Sequence, residues 1–369
     1  MQLKARCIGP NYDGIELNLG LENCVEDYKL KSVAIGPQPL YQITEKESDM
    51  KKELIFFYSI ILLAATASFD RRAPEKATSV FSGNLSEPEA PVILPDGSLI
   101  VAEMGQDKQS ITHISADGKT QRIIAKTGRP NGLAVDKNGI IWVAESENPP
   151  SLIKLTKDGK KEIFLEDYKG TPFLFPNDLA FGPDGALYMT DSGVRFSDLV
   201  QNGSIRSDYM DIKTDGRVFR IDLHTKNIEE IDSGLKFANG IAFGPDNNLY
   251  VNEMFTGNIY RYLWMDGKIT PKREFFGNVF DKERPKALNG PDGMKFCANG
   301  QLFIAVYGAG TITVLGRDGS IIRHIPTKGS MPTNIAFAAD AQKKIYVTED
   351  ETGTLQTIDV DASGLPLYK

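Results

Sequence analysis

Cysteine is scarce in this chain of 369 residues, and its scarcity excludes two kinds of cross-linked domain. Cys7, Cys24 and Cys297 are too few and too scattered for a disulfide framework or a zinc site. The three histidines also lack the spacing of metal ligands, so a structural or surface role is favoured for each of them. A dedicated zinc site is therefore disfavoured.

Positive charge is also in short supply. The formal net charge is -7, and no run of basic residues is interleaved with aromatic ones. Such a chain is not expected to bind nucleic acid or an anionic membrane surface. Long helical periodicity is absent as well, outside one apolar segment at residues 54–63, and this absence argues against a helical fold.

The apolar segment belongs to "MKKELIFFYSIILLAATASFD", which starts at Met50 and has the layout of a secretory signal peptide. Lys51 and Lys52 precede the apolar centre, and small residues follow up to Ala67. The centre is shorter than the roughly 20 residues of a spanning helix, so no stable membrane insertion is expected after cleavage. We expect a secreted or periplasmic protein, with a membrane-anchored or cytoplasmic one as the alternative.

Residues 1–49 precede the signal-like segment 50–67, although signal peptides begin chains. The hypothesis that follows is that Met50 is the true start and that residues 1–49 are a mis-assigned extension. A short membrane anchor and a structured N-terminal extension are the alternatives. Removal of the peptide would leave Cys297 alone and would exclude an internal disulfide.

From residue 89 onward the chain repeats one phrase: a polar residue before an apolar strand, a turn such as Pro-Asp-Gly, and a second strand. "NDLAFGPDGALYMTD" is one copy and "NGIAFGPDNNLYVNE" is another. The copies start about 40 to 60 residues apart, a period typical of arrays, solenoids and propellers. The six copies begin at Glu89, Asn131, Asn177, Asn239, Asp292 and Asn334.

Each copy predicts one blade of four short antiparallel strands, because a third and a fourth strand follow in most copies. Examples are "RVFRID" at 217–222 and "DGKKEIFLE" at 158–166. The sequence therefore predicts an all-β protein, a six-bladed β-propeller that occupies residues 74–369 as one domain. A propeller must close its ring, and "ATSVFSG" at 77–83 can supply the outer strand of the last blade.

The polar residue of each copy precedes the first strand of its blade, which lines the central channel of a propeller. Loops that enter first strands share one face, so the six polar side chains are expected to converge at one channel mouth. Carboxylate and amide oxygens in such a ring suit a hard cation such as Ca²⁺. For Asn131, a role as metal ligand and a role in a turn are about equally favoured. For Asn334, the role in a turn is favoured. The role as metal ligand is favoured for four residues jointly: Glu89, Asn177, Asn239 and Asp292.

Further features border the same face. Tyr307 ends the second strand of the fifth blade and is predicted to face a ligand. Two long segments, 193–216 and 275–290, are predicted to roof the pocket and to set substrate choice. The other second strands end on acids that are expected to cap turns and to accept from backbone N–H groups between blades. These acids are Glu103, Glu145, Asp191, Glu253 and Glu349.

Four phrases carry a resemblance to a known family: "EAPVILPDG", "FPNDLAFGPDG", "ANGIAFGPDN" and "NGPDGMKFCANG". They resemble the family of gluconolactonase, regucalcin (senescence marker protein) and luciferin-regenerating enzyme. The resemblance implies a six-bladed propeller with one divalent cation in its channel. Ca²⁺ is the expected cation, and Mg²⁺, Mn²⁺ and Zn²⁺ are the alternatives.

The resemblance also assigns residues. The family's metal ligands, a Glu, two Asn and an Asp, match Glu89, Asn177, Asn239 and Asp292. Its substrate-contacting Arg-x-Asn looks like Arg129 and Asn131 in "GRPNG". Ala90 departs from the usual Glu-Gly-Pro of the first motif, which is a mild change.

Hydrolysis of a small-molecule lactone or ester is the activity that the resemblance implies. A bound cation polarises a carbonyl and lowers the pKa of a water molecule. Asp292 is predicted to be both ligand and general base. Three alternatives stay open: another calcium-dependent esterase or organophosphatase of this scaffold, like the paraoxonases, a non-enzymatic ligand-binding propeller, and a strictosidine-synthase-like propeller that needs no metal.

Overall fold

A computed structural model describes the chain at residues 2–6, 16–20, 78–201, 203–280, 288–339 and 342–368. The chain divides into two compact units, Met1–Arg72 and Ala73–Lys369. In the first unit, β1 (Gln2–Arg6) pairs with β2 (Glu16–Gly20) as a two-stranded antiparallel sheet, which the sequence analysis did not predict. The signal-like segment 50–67 lies outside the described residues. Within them, no helix has the length and apolar character to cross a membrane.

The second unit is a six-bladed β-propeller, as predicted, and each blade is a four-stranded antiparallel sheet. Blade 1 contains β4 (Pro88–Ile93), β5 (Leu99–Glu103), β6 (Ser110–Ile114) and β7 (Gln121–Lys126). Blade 2 contains β8 (Pro130–Val135), β9 (Ile141–Glu145), β10 (Ser151–Leu155) and β11 (Lys161–Leu165). Blade 3 contains β14 (Pro176–Phe181), β15 (Leu187–Asp191), β18 (Gly216–Ile221) and β19 (Ile228–Leu235).

Blades 4 to 6 continue the pattern. Blade 4 contains β20 (Ala238–Phe243), β21 (Leu249–Glu253), β22 (Asn258–Met265) and β23 (Lys268–Asn278). Blade 5 contains β24 (Gly290–Phe296), β25 (Leu302–Tyr307), β26 (Thr311–Leu315) and β27 (Ile321–Pro326). Blade 6 contains β28 (Pro332–Phe337), β29 (Lys344–Glu349), β30 (Thr354–Asp359) and, as its outer strand, β3 (Ser79–Ser82). The ring is thus closed by the segment that the sequence predicted.

Loops between strands carry the remaining elements. The blade 2 to blade 3 connection forms a hairpin of β12 (Asp167–Tyr168) and β13 (Thr171–Pro172). The long segment 193–216 lies between the second and third strands of blade 3, as predicted. It contains a short helix α1 (Phe196–Leu199), a hairpin of β16 (Val200–Gln201) and β17 (Ser204–Ile205), and a 3₁₀ turn at Tyr209–Asp211.

The second predicted roof segment, 275–290, is only partly a loop. Residues 275–278 belong to β23, because the strand pairs with β22 as far as Asn278. That part of the prediction was wrong: the outer strand of blade 4 is longer than its apolar pattern indicated. Residues 281–287 of the segment lie outside the described part of the chain.

The hydrophobic core lies between neighbouring blades rather than in a single centre. Trp142 of blade 2 and Phe219 of blade 3 belong to one cluster, and Tyr188 of blade 3 and Tyr262 of blade 4 belong to the next. The second strands are near-continuous apolar runs that are buried throughout, as in Leu99–Glu103 and Ile141–Glu145, so both of their faces can meet an adjacent sheet. This packing holds the first strands of the six blades against one another around the axis.

Each first strand enters the channel through a β-bulge. In blades 2 to 5 the pairing with the second strand shifts by skipping two residues, for example Asn177 and Asp178 between Pro176 and Leu179. A bulge breaks the alternation of a strand and re-aims a side chain. Pro176 cannot donate a ladder hydrogen bond, so regular pairing is weakened where the bulge begins. The bulge therefore turns the polar residue of each repeat toward the axis.

The acidic ends of the second strands fix the loops that lead into the first strands. Glu103 accepts from Ser86 N at 2.8 Å, Asp191 accepts from Phe175 N at 2.9 Å, and Glu349 accepts from Met331 N at 2.8 Å. The corresponding bonds of Glu145 and Glu253 go to Gly128 N and Lys236 N. The predicted role of these acids in binding backbone N–H groups is confirmed, and they hold the loops that carry the candidate site.

Candidate metal centre and active site

The structure brings the four predicted ligands to one end of the channel, on the bulges of four blades. All four are buried, with exposed fractions of 2% to 8%. Asn239 and Glu89 lie close enough to Asp292 to act on its pKa: the Asn239 side chain lowers it, and the charge of the Glu89 carboxyl raises it. A Cβ on Gly240 would lie 2.2 Å from the carbonyl oxygen of Asp292, so only glycine lets the neighbouring bulges approach this closely.

Two of these residues present amide oxygens that have no partner. Asn177 donates its Nδ2 to Ser192 Oγ at 3.0 Å, and Asn239 has its Nδ2 3.4 Å from Met254 Sδ. The Oδ1 atoms of both residues are buried and accept no hydrogen bond from any residue that the structure describes. A buried polar atom without a partner costs free energy, and an ion bound to that atom removes the cost.

Both carboxyls of the site are held in a medium that disfavours their charge. Burial, and then the charge of Asp178, raise the pKa of Glu89 to about 8. Burial, and then the charge of Glu89, raise the pKa of Asp292 well above its usual range. Like charges in a dry site repel unless a cation lies between them.

The residues present fit a hard divalent cation. Two carboxylates and two unpartnered amide oxygens are the donor types that Ca²⁺ prefers, and Mg²⁺ and Mn²⁺ take the same donors. Among the described residues, no three His, Cys, Asp or Glu side chains come together as a metal cluster, so such a site depends on its amides. His113 is held by Ser98 Oγ and His324 by Thr313 Oγ1, each at 3.0 Å, which confirms structural roles for both.

In the sixth repeat, the residue that takes the axial position comes one place earlier in the chain than predicted. Ile335 pairs with Val347 just as Leu179 pairs with Met189, so Thr333 is the equivalent of Asn177, and Asn334 is the equivalent of Asp178. The placement of Asn334 among the ring residues was wrong for that reason. Its Nδ2 instead donates to Glu89 Oε1 at 3.3 Å. The proline before the ring residue, present at Pro332 as at Pro176, is the signal that would have shown the register.

The predicted substrate contacts lie at the rim of the same mouth. Arg129 donates to Glu87 at 3.0 Å and to the carbonyl oxygen of Met104 at 3.2 Å, and its guanidinium lies 4.1 Å above the ring of Phe196. Its Nε atom is buried without a partner. Asn131 is buried at the start of β8. The long segment 193–216 therefore reaches the site through Phe196.

Tyr307 and Asp350 face the mouth from blades 5 and 6. Burial and the charges of Asp350 and Asp292 raise the pKa of Tyr307. Burial, and then the charge of Glu87, raise the pKa of Asp350 to about 7, and its Oδ1 is buried without a partner. Asp350 was not predicted from the sequence, because it follows Glu349, the acid that recurs at the ends of the second strands, and no motif distinguishes it from a turn residue.

An apolar cluster covers this mouth. Met254, whose sulfur contacts Asn239, packs with Phe237 and Phe255, and Tyr209 of the long segment packs on Phe255 with ring centroids 5.2 Å apart. Tyr307 packs against the same cluster. The predicted roof thus shields the polar ring from water, which strengthens electrostatic interactions beneath it.

The channel widens on the opposite side of the ring into a cavity of about 980 Å³. The cavity opens where the turns between first and second strands lie, and residues 364–368 border it. Its lining reaches Asp178 and Asn334, which directly follow the axial residues Asn177 and Thr333, and also Lys295. No motif in the sequence links these three residues to one another.

These features define a six-bladed β-propeller with an oxygen-donor site on its axis. The family model described as "SMP-30/Gluconolactonase/LRE-like region" matches residues 88–350, and the chain belongs to this family. The resemblance stated from the sequence motifs is therefore confirmed.

Relatives with assigned names include a gluconolactonase of Zymomonas mobilis and a strictosidine synthase-like protein of Arabidopsis thaliana. The first is 30% identical over 217 residues, which are 58% of this chain and 58% of that protein. The second is 28% identical over 183 residues, which are 49% of this chain and 45% of that protein. The chain thus spans about half the length of the curated relatives it matches.

Among solved structures, a calcium-binding regucalcin of Agrobacterium tumefaciens has the same fold. The TM-score is 0.65 at 18% identity, over 80% of this chain and 98% of that chain. At 18% identity, this similarity shows the fold alone.

Proposed function

We propose that this protein is a lactonase that hydrolyses a small cyclic ester and depends on a divalent cation, Ca²⁺ in the first place. The observation that carries the proposal is the pair of unpartnered amide oxygens, on Asn177 and Asn239, beside the buried carboxyls of Glu89 and Asp292. Membership of the family and similarity to a gluconolactonase support the choice of reaction.

Glu89, Asn177, Asn239 and Asp292 would hold the cation. When bound, it would supply Lewis-acid polarisation of the ester carbonyl and lower the pKa of a nearby water. Because the two amides carry no charge, they would neutralise the charge of the cation less than four carboxylates would. Ser192 orients the amide of Asn177, and Asn334 donates to Glu89, so both ligands are fixed before substrate binds.

Asp292 would act as the general base that takes a proton from the attacking water. Its carboxyl is buried and lies next to Asn239, and burial together with the charge of Glu89 raises its pKa, which is the direction that a general base requires. Glu89, held by the Ala90 N–H and by Asn334, would anchor the cation and balance charge.

Arg129, Asn131 and Tyr307 would bind the substrate at the rim. The guanidinium of Arg129 is positioned by Glu87 and Phe196, so it can hold a hydroxyl or carbonyl oxygen without reorganising. The apolar cover around Tyr307 would exclude bulk water once substrate is bound.

The experiment is metal analysis of the purified protein, followed by a lactonase assay with and without a chelator. Stoichiometric cation and chelator-sensitive hydrolysis of a lactone panel are the expected results. Hydrolysis of aryl esters or organophosphates but of no lactone would point to another esterase of this scaffold. Tightly bound cation without any hydrolysis would indicate a ligand-binding propeller, and full activity in chelator would contradict the metal dependence.

We also propose export of the protein through the segment 50–67, on the pattern of Lys51, Lys52 and the apolar centre. N-terminal sequencing of the mature chain tests this, with a first residue shortly after Ala67 expected. A mature chain that begins at Met1 would contradict it.

A further inference from the structure

An ion pair between a buried carboxylate and a half-buried ammonium lies close to the four candidate ligands. Lys295 Nζ is 3.9 Å from Asp178 Oδ2, and the Asp178 side chain is almost fully buried. Asp178 also accepts from Leu179 N at 2.8 Å and from Ile241 N at 3.4 Å. Since Asp178 is on β14 and Lys295 is on β24, the pair reaches past the intervening strand of blade 4.

The repeats show that both charges are local departures from a neutral pattern. The residue after the ring residue is Gly132, Gly240 or Gly293 in three other blades, where blade 3 has Asp178. Lys295 pairs with Phe303 in the register in which Ala180 pairs with Tyr188 and Ala242 with Tyr250. The equivalents of Lys295 in the other five blades are therefore Val92, Ala134, Ala180, Ala242 and Ala336. One acid and one base thus stand where the other blades have uncharged residues, and they lie within 3.9 Å of each other.

The pair acts electrostatically on the candidate ligands. Asp178 interacts with the carboxyls of both Glu89 and Asp292, and Lys295 interacts with Glu89. When Glu89 and Asp292 are ionised, as binding of a cation requires, their two carboxylates, the carboxylate of Asp178 and the ammonium of Lys295 sum to two negative charges. A divalent cation balances that remainder.

We infer that Asp178 and Lys295 are positioning residues that set the net charge of the cation site and thereby its preference for a divalent ion. The inference rests on the proposed cation site but not on the proposed reaction. Neither side chain is among the predicted ligands, so each would change the affinity for the cation through its charge rather than by direct contact. Removal of the ammonium leaves a surplus of negative charge that favours ions of higher charge, and removal of the carboxylate does the opposite.

The test is calorimetric titration of the chelator-stripped, full-length protein with Ca²⁺ and Tb³⁺. In Lys295→Met, we expect the Kd to fall by about tenfold for Ca²⁺ and about thirtyfold for Tb³⁺, because the Coulomb energy scales with the ion's charge. In Asp178→Asn, the Kd should rise for both ions, again more for Tb³⁺. The double variant Asp178→Asn/Lys295→Met should return near the wild-type values, because the net charge is restored.

Lys137→Met is the matched control, because it removes the same charge from an exposed residue at the outer rim of the cavity. Its Kd values should stay within about twofold of wild type, since water screens a distant exposed charge. The double variant keeps the test informative where a single variant does not fold. Equal Kd values in wild type, Lys295→Met and Asp178→Asn would overturn the inference, as would a wild type that binds neither ion. Cation binding that responds to charge in a protein without lactonase activity would overturn only the proposed reaction.

Discussion

The amide nitrogen of Asn177 is hydrogen-bonded to the hydroxyl of Ser192, which itself donates to the carbonyl oxygen of Ala238 at 2.9 Å. This chain of two bonds connects blade 3 to blade 4 and fixes which end of the Asn177 amide faces the axis. The unpartnered oxygen is therefore a consequence of Ser192, which is fully buried after the second strand of blade 3.

Ser192→Ala should weaken cation binding by about tenfold, because loss of an orienting partner typically lowers metal affinity by that order. Calorimetric titration with Ca²⁺ measures the change. Ser151→Ala is the control, since Ser151 is equally buried but donates to the carbonyl oxygen of Pro149. Equal affinity in both variants would show that the amide is oriented without Ser192.

Asp292→Asn should lower kcat for lactone hydrolysis by about 10²–10⁴-fold, because the variant has no base to accept the proton from water. The fold should be largely spared, since an amide fits the same space, and circular dichroism checks this. Retention of full activity would eliminate Asp292 as the base.

Addition of Ca²⁺ at about 100 times its Kd should stabilise the stripped protein by about 2.7 kcal/mol, because the ion binds the folded chain alone. Thermal melting with and without chelator measures this as an upward shift of Tm. Asn239→Leu, which lacks the amide oxygen, should show no shift. A shift of the same size in that variant would place the ion elsewhere.

Shortening the segment 195–212 should change the preference among lactones while the cation stays bound. The physical reason is that Phe196 covers the guanidinium of Arg129 and Tyr209 packs on the apolar cover. Specificity constants for a substrate panel, with metal content measured in parallel, test the prediction. Loss of the metal or of the fold would instead assign the segment a structural role.

Asp350 should make the protein less stable as pH rises from about 4 to about 7. Its pKa is raised in the folded chain, so the folded state binds more protons than the unfolded state in this window and loses stability as the proton leaves. Asp350→Asn should therefore gain on the order of 4 kcal/mol over wild type at pH 8 and little at pH 4. Urea denaturation at both pH values measures the difference, with the exposed Asp359→Asn as control. A gain of equal size at both pH values would contradict the role of the proton.

The sequence predicted the propeller and the four central residues because both depend on a phrase that is local in the chain. A polar residue, an apolar strand and a Pro-Asp-Gly turn recur together, and the fold delivers the polar residue of each copy to the axis. The register of the sixth repeat was not predicted, because a bulge shifts the pairing of two strands without changing the pattern of apolar residues that identifies them. Counting back from Ile335 through the bulge gives Thr333, whereas the asparagine next to it has the more familiar residue type.

Relationships between blades were beyond the reach of the sequence. Asp178 and Lys295 are far apart in the chain, and each looks like an isolated surface charge until the channel brings them together. The contact of the Arg129 guanidinium with the face of the Phe196 ring likewise depends on how the long segment 193–216 folds over a neighbouring blade. No local propensity encodes either contact, because both depend on the curvature of the closed ring.

The pairing of β3 with β30 has a consequence for synthesis on the ribosome. The partner of Ser79–Ser82 is β30, far downstream in the chain, so a nascent chain keeps Ser79–Ser82 unpaired until β30 has been synthesised. A product of interrupted translation would expose open sheet edges, which invite association with other chains. A chain that stops before β30 therefore differs from the closed propeller in its tendency to associate through sheet edges.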